Sequence, residues 1–280
     1  MKLSSSAKLT LNLLCWIVCA GYWNLSFCLQ SVGAAEPSSN SLKLKDAQDI
    51  FNHKVFDLTH VLKPGLPDFH LGGQTFSYKK IFSVEKDGYG NGAFSMVEHY
   101  GTHVDAPNHF FDGKLSVDQI PAQDLVIPCL VIDVRDEVKN NPDYQLTLEK
   151  VKRFEKDGEI PTHVAVLLLT GWDARWSTES DYRNTDAKGV MHFPGFGAGA
   201  CNYLVKQRHI AAIGIDTLSI DAGANNDFSC HKIALGAGLY MMENLKDLAL
   251  LPSRGALLFC GPLRIENGTG GPARILAVTQ

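Results

Sequence analysis

The chain has 280 residues, 45 % apolar and 20 % charged, an ordinary globular composition with apolar side chains enough for a sizeable core. A formal net charge of −4, without a long run of like charge, argues against a nucleic-acid binder, which would carry a basic stripe. No low-complexity tract and no repeat of roughly 20–50 residues stands out.

The first segment, "MKLSSSAKLTLNLLCWIVCAG", sets Lys2 and Lys8 before an apolar run over 9–20. Val18-Cys19-Ala20 fits a small-residue cleavage site, as does Val32-Gly33-Ala34. Residues 1–20 therefore read as a secretory signal, with cleavage as late as 34, which sends the mature protein to the secretory lumen or out of the cell. An uncleaved anchor is disfavoured because Gly21, Asn24 and Gln30 interrupt the apolar stretch before it reaches about 20 residues. A transit peptide would be richer in arginine. Asn24-Leu25-Ser26 and Asn267-Gly268-Thr269 are glycosylation sequons, in keeping with a secreted glycoprotein. Residues 21–46 read as a linker, ending in the polar "EPSSNSLKLKD", and 47–280 as the folded domain.

Short apolar runs bounded by Gly, Pro or Asp predict strands over 55–58, 75–83, 94–99, 126–134, 164–169, 211–215, 256–260 and 274–278. Helices are expected over 147–156, with Thr147 as cap, and over 199–208 and 231–237. Strands come mostly first and helices later, which predicts an α/β or α+β fold with a mixed sheet. "GFGAGA" at 195–200 follows no strand and reads as a loop into a helix, not a dinucleotide site. Of the seven cysteines, Cys129 and Cys260 sit in apolar runs and read as buried thiols; one disulfide elsewhere stays open.

"EHYGTHVDAPNHF", residues 98–110, concentrates chemistry. Gly101, Thr102, Val104 and Pro107 oppose a helix. In a strand, His103 and Asp105 point to one side, and a bend at Gly101 brings His99 round to join them. Two imidazoles and a carboxylate suit a divalent metal. Pro107 sets a turn that lets His109 lean over such a site as a proton carrier. Farther on, His231 opens "HKIALGAGLYMMENL", and Glu243 lies among apolar neighbours, where a buried carboxylate needs a cation or donor. Asp216, ending a strand in "GIDTLSID", is read either as support for a histidine ligand or as a turn residue. Trp172 is read as pocket wall or core.

These segments resemble the metal-dependent cyclase family, which includes bacterial-type kynurenine formamidases and isatin hydrolases. "HYGTHVDAPNHF" is similar to its H-x-G-T-H-x-D-x-P-x-H signature, and "DLTHVLKPGLP" (57–67), "LLLTGW" (167–172), "GIDTLSID" (214–221) and "HKIALGAGLYMMENL" (231–245) resemble its other blocks in order. The resemblance implies a swivelling β/β/α domain, a single catalytic unit assembled as a homodimer or tetramer. It implies His99, His103 and Asp105 as ligands of one metal, Asp105 and Glu243 as bridges to a second that His231 also binds, and His109 as proton donor and acceptor. Zinc or manganese, two ions per chain, is the implied cofactor. Phe69 and His70 stand where the formamidase branch places a tryptophan, which makes Phe69 a candidate pocket wall. The expected activity is hydrolysis of a C–N amide bond in a small aromatic amide, first N-formyl-kynurenine to kynurenine and formate. Residues 141–161 resemble isatin-hydrolase-like members, so a cyclic amide is the alternative. A secreted metal-binding protein of the same fold without catalysis is the second.

Overall fold

Alternating side chains dictate the architecture. In the computed structural model, which describes residues 52–69 and 75–279, odd and even positions of one strand enter two separate cores. Cys129 and Val131 join an inner cluster with Val104, Leu167, Met242 and Ile275. Leu130 and Ile132 join an outer cluster with Val166, Leu168, Met241 and residues of the helices. A strand buried on both faces must be apolar throughout, and "AVLLL" at 165–169 is.

The strands are β1 (Lys54–Asp57), β2 (Phe76–Phe82), β3 (Asn91–Met96), β4 (His103–Asp105), β5 (Val126–Asp133), β6 (Gln145–Leu146), β7 (Ala165–Leu169), β8 (Gly195–Phe196), β9 (Ala212–Ile215), β10 (Tyr240–Glu243), β11 (Ala256–Pro262) and β12 (Gly270–Thr279). Eight of them form one sheet in the order β1-β12-β11-β5-β7-β9-β10-β4. β4 also pairs with β12, so the sheet closes into a barrel. β5, β7, β9 and β10 run parallel, and the other pairings are antiparallel. β2 and β3 make a separate hairpin, and β6 and β8 a short parallel pair. The longer helices are α1 (Leu148–Phe154), α2 (Ala198–Gln207) and α3 (Ser229–Gly236). Thr147 caps α1 by accepting the Lys150 N–H at 3.2 Å, as its position ahead of the apolar run predicts. α2 and α3 cover the outer core.

The class is the one the sequence predicts, a mixed-sheet α/β domain; closure of the sheet is new. Two elements differ. The 94–99 run is not one strand: β3 stops at Met96, and His99 lies on the bend before β4. "YMME" at 240–243 is a strand that follows the helix expected over 231–237, in a stretch to which the sequence assigned no element. Cys129, Cys201, Cys230 and Cys260 are all buried and free. Among the described residues no helix is long and apolar enough to cross a membrane. The leader, its cleavage sites, the linker, Asn24 and His70 lie outside the described residues.

Candidate metal centre

β4 and β10 build the floor. Their antiparallel register sets Glu243 directly across from His103 and Met241 across from Asp105. Opposed residues share a face, and so do residues two apart. His103, Asp105 and Glu243 therefore project together on the outer face, while Val104 and Met242 point into the barrel. His99 reaches them through Gly101, whose φ of +67° glycine adopts without strain and whose Cβ would sit 2.7 Å from Leu62 Cδ2. His231 comes from the first turn of α3, entered through Phe228 at φ 52°.

Each imidazole has one nitrogen committed elsewhere. His103 Nδ1 donates to the Gly101 carbonyl at 2.9 Å. His231 Nδ1 donates to Asp221 Oδ2 at 2.7 Å. His99 Nε2 meets Thr269 Oγ1 at 3.0 Å. A carbonyl or carboxylate only accepts, so His103 and His231 turn an Nε2 lone pair inward. These lone pairs face carboxylate oxygens. His103 Nε2 lies 3.2 Å from Asp105 Oδ1 and 3.4 Å from Glu243 Oε2. His231 Nε2 lies 3.4 Å from Asp105 Oδ2 and 3.3 Å from Glu243 Oε1. His99 Nδ1 approaches Asp105 Oδ1 at 2.6 Å. His103 Nε2 is buried without a hydrogen-bond partner. Lone pairs converging on buried carboxylates call for cations between them. Two triads have ligand atoms within 4.8 Å of one another: His99, His103 and Asp105, and Asp105, His231 and Glu243. The donor set fits divalent ions, with Asp105 common to both positions.

The electrostatics agree. Burial works hardest against charge on His103, yet Asp105 and Glu243 raise it to about 10. Burial likewise opposes charge on His231, and Asp105, Asp221 and Glu243 lift it well above the ordinary range. Burial would raise Asp105, but the imidazoles of His99, His103 and His231 around it hold it well below the usual carboxylate range. Two buried carboxylates thus draw positive charge into the cluster.

His109 stacks on His99 with ring centroids 4.0 Å apart. Burial is the main influence that lowers it to about 4, despite the pull of Asp105. It is neutral near pH 7 and able to accept a proton. A cavity of about 240 Å³ opens over the cluster, walled by Phe69, Phe110, Phe228 and Leu218. Phe69, the candidate pocket wall, is one of the residues that line this cavity.

Two expectations are corrected. Trp172 does not line the cavity; it is 2 % exposed in the outer core, donating Nε1–H to the Tyr182 carbonyl at 2.7 Å. Asp216 supports no histidine. Its carboxylate takes the Thr170 hydroxyl at 2.6 Å and the Gly171 N–H at 2.7 Å, fastening the turn after β7. Asp221 does the work assigned to Asp216, and it also accepts the Cys230 and His231 N–H groups at 2.9 and 3.1 Å, capping α3. Glu98 and Phe110 stand at the two ends of the 98–110 segment without a role assigned from sequence, and Phe228 and Thr269 come to the site only through folding.

On the outer face of the barrel two carboxylates and three oriented imidazoles form a candidate centre for divalent metal, with His109 beside it. The family model described as "Putative cyclase" matches residues 56–222. An isatin hydrolase of Roseibium aggregatum is 34 % identical over 242 residues, 80 % of this chain and 91 % of that one. A kynurenine formamidase of Erythrobacter litoralis is 25 % identical over 226 residues, 80 % and 93 % of the two chains. Isatin hydrolase A from Ralstonia solanacearum superposes with a TM-score of 0.79 at 34 % identity, covering 85 % of this chain and 96 % of that structure. The chain belongs to the cyclase family, and its class within that family is a hydrolase that uses a divalent metal.

Proposed function

We propose that the protein hydrolyses the C–N amide bond of a small, neutral aromatic substrate, an isatin-like lactam ahead of a linear aryl formamide. The observation that carries this reading is the cavity: phenyl rings of Phe69, Phe110 and Phe228 enclose the double triad, and no lysine or arginine is among the described residues that line it. A flat aryl ring suits such walls. N-formyl-kynurenine also carries a free carboxylate, which would need a cationic partner there; a lactam carries none. The 34 % identity to the Roseibium isatin hydrolase supports the same order.

His99, His103 and Asp105 would hold one ion, and Asp105, His231 and Glu243 a second, zinc or manganese. When bound, such ions supply Lewis acidity, acidifying water and polarising a carbonyl oxygen. His109, neutral and stacked over His99, takes the proton of the attacking water and delivers it to the departing nitrogen. The C–N bond breaks, the nitrogen takes the carried proton and becomes an aryl amine, which in a lactam stays tethered through the ring, and the carbonyl carbon keeps the water oxygen as a carboxylic acid that loses its remaining proton to solvent. The phenyl walls hold the ring in place and exclude bulk water. The leader supports a site of action in the secretory lumen or outside the cell, and the family resemblance supports a dimer or tetramer.

The test is turnover of isatin and of N-formyl-kynurenine by the purified protein loaded with zinc or manganese. Isatin opening that stops on chelation supports the reading. Faster turnover of the formamide moves the protein to the formamidase branch, and turnover of neither, nor of other aryl amides, favours a metal-binding protein without catalysis.

A further inference from the structure

We propose that Glu98, acting through the Thr269 hydroxyl, is a positioning residue for His99 and sets the affinity of one of the two cation positions. The inference rests on the metal-site reading above.

Proton counting gives the direction of the relay. Thr269 donates its backbone N–H to Glu98 Oε2 at 3.2 Å and makes a short hydroxyl bond to the same oxygen. A carboxylate accepts only, so the single hydroxyl hydrogen of Thr269 belongs to Glu98. Thr269 Oγ1 must then accept from His99, whose Nε2 lies 3.0 Å away. That places a proton on Nε2; Nδ1 lies 2.6 Å from Asp105 Oδ1, an oxygen that also only accepts, so this contact calls for a cation or a second proton between them, and a bound cation would leave the neutral Nε2–H tautomer. His99 would therefore ligate through Nδ1, whereas His103 and His231 present Nε2.

The backbone is shaped for this contact. Thr269 stands between two glycines. A Cβ on Gly268 would lie 2.9 Å from Glu98 Oε1 and 3.0 Å from Val117 Cγ1. One on Gly270 would lie 2.3 Å from the Val104 carbonyl oxygen and 2.7 Å from His99 Cε1. Only hydrogen on both neighbours lets the chain come close enough to set the hydroxyl between carboxylate and imidazole.

His99 also needs the support more than its counterparts. Its side chain is 25 % exposed, against 3 % for His103 and 5 % for His231. It sits on a bend, not in a strand or helix, so packing does less to fix the ring. Outer partners of a histidine ligand contribute roughly 10–100-fold to metal affinity. Here that contribution falls on the His99 position and leaves the Asp105–His231–Glu243 position, held by Asp221, largely untouched.

The experiment is a zinc titration against a chromogenic chelator, on wild type, Thr269→Val, Thr269→Ser and Glu98→Gln. Wild type is expected to bind two ions per chain. Thr269→Val, which keeps shape and loses the hydroxyl, should keep one tight ion and bind the other roughly 10–100-fold more weakly; Thr269→Ser should restore it. Nitrogen-15 spectra of the histidine rings in the zinc-loaded protein should give the Nε2–H form for His99 in wild type and in the serine variant, with that signature lost in the valine variant. Unchanged binding of both ions by Thr269→Val overturns the proposal, and so does equal weakening of both. Where the valine variant does not fold, Glu98→Gln decides by the same one-ion criterion. Wild type that binds no zinc overturns the metal-site reading and this inference together; two ions bound by wild type and equally by the variants overturn this inference alone.

Discussion

The two halves of the cluster meet at Asp105 but are built in different ways. His99, His103 and Asp105 fall within seven residues, on a bend and a three-residue strand. His231 and Glu243 arrive more than a hundred residues later, from α3 and β10. In the contiguous half the imidazoles lean on neutral acceptors, the Gly101 carbonyl and the Thr269 hydroxyl. In the distant half His231 leans on a full carboxylate, Asp221, that also closes the start of α3. A short stretch of chain can thus bring ligands together on its own backbone, but it cannot enclose them or supply the second carboxylate. Burial and charge come from topology, when β10 docks between β9 and β4.

Removing the shared member tests this division most severely. Asp105 Oδ1 faces His99 and His103, and Oδ2 faces His231. Asp105→Ala is expected to empty both positions and abolish hydrolysis, checked by elemental analysis of dialysed protein beside an activity assay. One ion retained at wild-type affinity would break the picture of two halves hinged on one carboxylate.

His109 belongs to the contiguous half by sequence and meets the cluster through its ring, stacked on His99 and tilted against His231 with centroids 6.3 Å apart. His109→Ala should therefore lower kcat by roughly 10²–10⁴-fold with metal content unchanged, read by steady-state kinetics on metal-quantified protein. Loss of an ion in parallel would make it part of the metal shell.

The same contrast explains what was legible in the sequence. The spacing of His99, His103, Asp105 and His109, broken by Gly101 and Pro107, carries the geometry of its own half, because strand alternation and turn chemistry are local rules. β10 was not legible. Its "YMME" is apolar on both faces up to Glu243, without alternation, since β9 flanks it on one side and β4 on the other; a four-residue run of that kind cannot be told from helix by period. Nor could local sequence choose between Asp216 and Asp221, five residues apart, because the choice depends on where α3 begins in space. Trp172 follows a buried strand and points into the outer core, which only the packing of Tyr182 and Arg175 against it decides.

Asp221→Asn sharpens the comparison at smaller amplitude. The amide keeps one accepting oxygen for the start of α3, but its NH₂ competes for His231 Nδ1 and favours the wrong tautomer. Metal affinity in the distant half should fall roughly 10–100-fold, with the contiguous half unaffected, by the same zinc competition. Equal loss in both halves would mean that Asp221 organises the whole floor.

The smallest effect separates Asp216 from Asp221, and it concerns stability, not metal. Burial raises the Asp216 carboxyl to about 7, against the lowering effect of bonds from Thr170 and Gly171. The unfolded chain releases that proton near pH 3.9. A folded-state value above the unfolded one means the native state holds the proton more tightly, so its contribution is complete below about pH 4 and is lost as pH rises through about 7. Asp216→Asn is neutral throughout and has no such loss. Urea unfolding at a series of pH values should then show wild-type stability declining relative to the variant across that window, by on the order of 2–4 kcal/mol. A flat difference would mean that the Thr170 and Gly171 donors keep the carboxylate ionised in the folded protein, and that the turn after β7 is held by charge-assisted bonds like those Asp221 makes to α3.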